Sequence, residues 1–156
     1  MLLPSGKTSF REVVEHAPAV CILAENEHGE ILFVRQHRYP VKRAVLELPA
    51  GVVEPGEDPL ETAHRELREE VGMDARSMTE ITRFYTSPGF CDEEIILFFA
   101  RDLFPAPLEG DDDETIQVES RNREALIRGL ENREFQDGKT LMALYWYLLK
   151  SEKILS

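Results

Sequence analysis

The stretch Gly51-Val-Val-Glu-Pro-Gly-Glu-Asp-Pro-Leu-Glu-Thr-Ala-His-Arg-Glu-Leu-Arg-Glu-Glu-Val-Gly-Met73 constrains this chain more tightly than any other. Within it, Leu60, Ala63, Leu67 and Val71 recur at helical spacing, so Pro59 to Val71 is predicted to be an amphipathic helix with one apolar stripe. Asp58 suits the N-cap, Pro59 the first helical position, and Glu61 completes a capping-box-like pattern. Gly72 is placed to end the helix in a left-handed conformation. A short apolar strand candidate, Val45 to Leu48, comes before it and is stopped by Pro49-Ala50-Gly51. The order strand, glycine turn, loop, helix is therefore set locally.

The polar side of that helix carries Glu66, Glu69 and Glu70, spaced i, i+3 and i+4 and hence on one face. Hard oxygen ligands fixed on a rigid helix are what Mg²⁺ or Mn²⁺ requires. Glu61, Arg65 and Glu69 follow at four-residue steps, so an ion-pair ladder can orient the carboxylates. On the helix alone, a solvated acidic face explains the pattern equally well.

The flanking sequence reads as a mixed α/β arrangement. Strands are expected at Ala19 to Ala24, Ile31 to Gln36, Glu80 to Thr86, Glu94 to Ala100 and Ile116 to Val118, with turns at residues 25–30 and at Ser87-Pro88-Gly89. Two further helices are expected at Arg121 to Leu130 and Lys139 to Lys150, capped by Ser120 and Asp137. No repeat or linker divides the 156 residues, so one domain spanning 1–156 is expected. No apolar run is long enough for a membrane span, and the start lacks a basic segment followed by an apolar one. Cys21 and Cys91 share no ligand-like spacing and read as reduced thiols, which suits a cytoplasmic protein. A net charge of −12 argues against nucleic-acid or membrane-surface partners. It also means that an anionic substrate needs cations or local arginines to reverse the field.

The full spacing decides between the readings of the acidic helix. Gly51, Glu57, Arg65, Glu66, Glu69, Glu70 and Gly72, with apolar Leu67 and Met73, match the Nudix box at every fixed position. Such a match arises by chance on the order of 10⁻⁹ per start point at ordinary residue frequencies. The resemblance implies the Nudix fold, a mixed β-sheet sandwiched between helices with the box helix lining a catalytic cleft. It also implies roles. Glu66 and Glu70 resemble the principal metal ligands, Glu69 a further or water-mediated ligand, and the carbonyl of Ala50 another ligand. Gly51 would let the backbone pass close to the metal, while Glu57 and Arg65 resemble supports of loop and helix.

Other segments are similar to the ADP-ribose pyrophosphatase branch of that superfamily. They are Arg11 to His16, Val34 to Pro40, Leu46 to Gly51, the Pro88-Gly89 turn fifteen residues after Met73, and Gln136 to Thr140. In that branch Arg38 would meet the substrate's phosphates and Gly89 would sit beside the substrate. Arg11 would reach the substrate across a homodimer interface built with a short amino-terminal β segment, residues 1–18. The catalytic base would come from the acidic loop, as Glu114 or Asp112, with Glu114 favoured for its reach; Glu93 is a further candidate for positioning substrate or water. The resemblance implies Mg²⁺ (or Mn²⁺ or another divalent cation) and hydrolysis of ADP-ribose to AMP and ribose 5-phosphate. Alternatives are a nucleoside triphosphate or GDP-mannose hydrolase, or a non-catalytic nucleotide-binding module.

Overall fold

The computed structural model describes residues 4–110 and 116–151. Their element order is β1 (Ala19–Ala24), β2 (Ile31–Arg38), β3 (Arg43–Glu47), β4 (Ala50–Val52), α1 (Pro59–Val71), β5 (Met73–Tyr85), β6 (Glu94–Pro105), β7 (Gln117–Arg121), α2 (Arg123–Glu131) and α3 (Gly138–Ser151). The strands form two sheets, one of four strands in the order β4-β1-β6-β5 and one of three in the order β3-β2-β7. The first sheet is mixed, because β1 runs parallel to β6 and antiparallel to β4.

β1 explains the sandwich. All six of its residues are buried, as its unbroken apolar sequence requires of a strand covered on both faces. Val20, Ile22 and Ala24 pack with Ala63 and Leu67 of α1 and with Ile96 and Phe98 of β6. Ala19, Cys21 and Leu23 turn the other way, onto Phe33 of the second sheet, Leu126 and Leu144 of the last two helices, and Phe135 between those helices. The mixed sheet therefore separates α1 from α2 and α3, as the resemblance implied.

The box helix forms as its sequence dictates. Asp58 accepts a hydrogen bond from the Leu60 amide at 2.8 Å, Pro59 fills the first turn, and Gly72 closes the helix at φ 74°. Asp137 likewise caps α3 by accepting from the Thr140 amide at 3.0 Å.

Several boundaries differ from expectation. β5 begins at Met73, directly after the helix, because residues 73–77 pair with the extension of β6 to Pro105. β3 starts at Arg43, and Ala50–Val52 forms a strand of its own on β1, because Pro49, which has no amide hydrogen, marks the crossing from one sheet to the other. Ser120 is not the cap of α2. It lies in β7 opposite Leu32 and donates to Glu30 at 2.9 Å, while Asn122 accepts from the Ala125 amide at 3.0 Å and starts the helix at Arg123. In place of an amino-terminal strand, the described residues show isolated bridging, as between Val14 and Cys91, where the Val14 amide donates to the Phe90 carbonyl at 2.7 Å.

Candidate active site

Strand β4 and helix α1 together line a cleft of about 880 Å³. Ala50 and Gly51 of β4 lie beside Glu66, Glu69 and Glu70 of α1, and Gln36 and Arg38, from the end of β2, complete the lining. Glu66 and Glu70 are buried. Three carboxylates on one wall repel one another unless cations or donors meet them, and the chain supplies part of that compensation itself. The Ala50 amide donates to Glu70 at 3.0 Å. Arg65 donates through Nη1 to Glu66 at 2.7 Å and to Glu69 at 2.9 Å.

Gly51 is required by a close approach. Its φ is not in the left-handed region, yet an added Cβ would fall 1.9 Å from Oε1 of Glu66. The absent side chain is thus the space in which that carboxylate lies. Glu57 holds the arginine from the other side, accepting from Arg65 Nε at 3.0 Å and Nη2 at 3.1 Å. This hydrogen-bonded pairing with Arg65 draws the Glu57 carboxyl down to about 2. The same bond, reinforced by Glu66 and Glu69, holds the Arg65 guanidinium above its usual range. Arg65 is the hub that ties the Glu57 loop to the carboxylate helix.

A second cavity of about 1170 Å³ adjoins this one, lined mainly by apolar and aromatic groups such as Phe84, Tyr85, Phe90 and Met142. Arg38 lines both cavities and so stands between them. A family model described as "NUDIX domain" matches residues 15–144. This chain belongs to the NUDIX family.

Several known proteins are similar to it. The chain is 45% identical over 150 residues to a protein of Bacillus subtilis (strain 168) named ADP-ribose pyrophosphatase, covering 95% of this chain and 81% of that one. It is 37% identical over 150 residues to the methanol dehydrogenase activator of Bacillus methanolicus, with the same coverage. A crystal structure titled ADP compounds hydrolase superposes with a TM-score of 0.78 at 27% identity, covering 86% of this chain and 74% of that one.

The structure brings most of the candidate site residues together. Glu66, Glu69, Glu70, Ala50, Gly51, Arg65 and Arg38 all line one cleft, with Glu57 bonded to Arg65. Other candidates lie elsewhere. Glu93 lines the second cavity, accepting from the Thr86 hydroxyl at 2.6 Å. Arg11 is exposed, its guanidinium turned onto the Phe10 carbonyl at 2.8 Å and the Ser9 hydroxyl, and it lines neither cavity. Gly89 is exposed in the hairpin turn and also lines neither. Glu114 and Asp112 lie outside the described residues; Gly110 and Ile116, on either side of that segment, both line the carboxylate cleft.

Among the described residues no three carboxylate, imidazole or thiol groups converge on a single point. The donor set nevertheless fits a divalent cation: two buried carboxylates, Glu66 and Glu70, stand beside a third on one helix face, and Glu66 lies in the space that the missing Cβ of Gly51 leaves.

Sequence reasoning gave no role to Glu47 and Lys139, which the structure places beside Arg38. The available signal was a glutamate inside an apolar strand, Val45-Leu46-Glu47-Leu48, where an unpaired charge would be costly.

Proposed function

We propose that this NUDIX protein is a divalent-cation-dependent pyrophosphohydrolase that splits ADP-ribose into AMP and ribose 5-phosphate. The observation that carries the reading is the cleft itself, in which a wall of three carboxylates on α1 stands beside backbone from β4 and ends at the Arg38 guanidinium. That order of charges suits a diphosphate: cations held by carboxylates at one end, a planar phosphate-gripping fork at the other. The adjoining cavity has the size and apolar lining to take a nucleoside or sugar attached to that diphosphate. The name of the Bacillus subtilis relative supports ADP-ribose as the molecule.

Glu66, Glu69, Glu70 and the Ala50 carbonyl would hold Mg²⁺, with Mn²⁺ as a substitute. Bound there, the cation supplies charge neutralisation of the diphosphate and a more acidic water. The chain's own residues do the rest. Arg65 orients Glu66 and Glu69, the Ala50 amide orients Glu70, and Arg38 fixes the diphosphate. Glu114 is our choice of general base, with Asp112 the alternative and Glu93 a positioning group.

We further propose a single domain acting as a homodimer. Phe10 (94% exposed), Val13 and Phe90 leave apolar surface at the amino-terminal arm and the hairpin turn. Among the described residues Arg11 lines neither of the two cavities, so its reading as a substrate contact, like that of Gly89, calls for a second copy. The two free cysteines, Cys21 buried and Cys91 partly so, support a cytoplasmic setting; among the described residues no helix is long and apolar enough to cross a membrane.

A panel of ADP-ribose, GDP-mannose and a nucleoside triphosphate, assayed with Mg²⁺ by chromatography of the products, tests the substrate. The expected result is AMP from ADP-ribose with a kcat/KM at least tenfold above the others. Preference for either alternative would reject ADP-ribose. Light scattering of a monomer at assay concentrations would remove Arg11 from the site.

A further inference from the structure

Glu47 is 2% exposed, between Leu46 and Leu48, at a depth where an unpaired carboxylate would cost several kcal/mol. Two cations meet it. Arg38 donates through Nε to Oε1 at 2.9 Å and through Nη2 to Oε2 at 2.9 Å; Lys139 Nζ donates to Oε2 at 2.5 Å. Lys139 also lies 3.1 Å from Asp137, which accepts from the Thr140 hydroxyl at 2.7 Å. That hydroxyl in turn accepts from the Leu48 amide at 3.0 Å. The network thus runs from β3 to the start of α3 and back, and each member is fixed by the next. Burial pushes the Glu47 carboxyl up, but Arg38 and Lys139 outweigh it and hold the group below the usual carboxylate range.

A guanidinium has five N–H donors in a rigid fork. Glu47 takes the side edge of Arg38, the one formed by Nε and Nη2. The end edge, formed by Nη1 and the second Nη2 hydrogen, is then the one left for a pair of phosphate oxygens. Ion pairs buried in this way are weak stabilisers, because well-packed apolar residues of equal volume do as well or better. Stability alone is therefore a poor reason for a glutamate in this strand, and orientation of Arg38 is a better one.

We propose that Glu47, with Lys139 as its second counter-ion, is the positioning residue that turns the free edge of Arg38 toward the substrate diphosphate. Lys139 keeps Glu47 compensated when a phosphate draws on Arg38. The proposal rests on the reading of Arg38 as a phosphate contact.

The test is a double-mutant cycle of Glu47→Gln and Arg38→Ala, with two readouts. One is kcat and KM for ADP-ribose with Mg²⁺; the other is the calorimetric Kd of methylenediphosphonate with Mg²⁺. Glu47→Gln should raise KM and Kd about tenfold, the scale of a charge-assisted hydrogen bond, with kcat changed about threefold or less. In the Arg38→Ala background it should change neither. Multiplicative losses in the double variant would overturn the proposal, since Glu47 would then act independently of Arg38. An Arg38→Ala protein with unaltered KM and Kd would overturn it as well. If Glu47→Gln does not fold, Lys139→Met replaces it in the same cycle, with an expected loss of about threefold that vanishes in the Arg38→Ala background. A wild-type protein inactive on ADP-ribose would reject that substrate, while the methylenediphosphonate cycle would still decide the role of Glu47.

Discussion

A Cβ added to Gly51 would lie 1.9 Å from Oε1 of Glu66, so the glycine of β4 and the glutamate of α1 occupy complementary volumes. The atom that must give way is the end of a flexible side chain, and the backbone around it can stay in place. Gly51→Ala should therefore fold, with a Tm close to wild type, while displacing a carboxylate of the cleft. A loss of about a hundredfold in kcat/KM is expected, the scale of an ångström-level misplacement at a reacting centre. Parallel melting curves and steady-state kinetics check it.

The Glu57–Arg65 pair sets an acid limit on stability. The Glu57 carboxyl is drawn from its ordinary 4.5 to about 2, chiefly by its hydrogen bond to Arg65. A carboxyl depressed in the folded state contributes stability that is complete above the unfolded value and is lost as pH falls toward the folded one. Urea denaturation of the wild type should show this contribution declining between about pH 4.5 and pH 2. Glu57→Gln should lower stability at neutral pH and flatten that stretch of the profile. Parallel profiles for the two proteins would contradict the assignment.

Burial pushes the Cys21 thiol up to about 12, and no solvent reaches it between β4 and β6. Iodoacetamide at pH 8 should leave Cys21 unmodified in the native protein and label it once urea unfolds the chain. Peptide mapping by mass spectrometry reads both states. Native labelling of Cys21 at the rate of a free thiol would mean that the central strand opens readily.

Much of this molecule was legible before its coordinates. The 3.6-residue stripe, the Asp58 cap and the left-handed Gly72 fixed α1 locally, and the box spacing assigned its carboxylates to a cleft. What escaped were contacts between distant segments. Ser120 and Asn122 are both good caps by residue type, and only the pairing of Ser120 with Leu32 in β7 decides between them. Nothing local to Gly51 tells that its missing side chain leaves room for the Glu66 carboxylate, fifteen positions on. Glu47 and Lys139 are 92 residues apart, and no local pattern joins them. Arg11 illustrates the converse, since its expected role depends on a second chain rather than on its own fold.

The most direct test of the carboxylate wall is Glu70→Gln, which keeps an oxygen for the Ala50 amide and removes the charge. AMP release from ADP-ribose should be measured with Mg²⁺ titrated into the wild type and the variant, beside thermal melts of both. The expected result is an unchanged fold and a fall in kcat of about a hundred- to a thousandfold, the scale of lost electrostatic stabilisation at a transition state, that added Mg²⁺ does not recover. Near-normal turnover by Glu70→Gln would show that diphosphate hydrolysis does not depend on this wall.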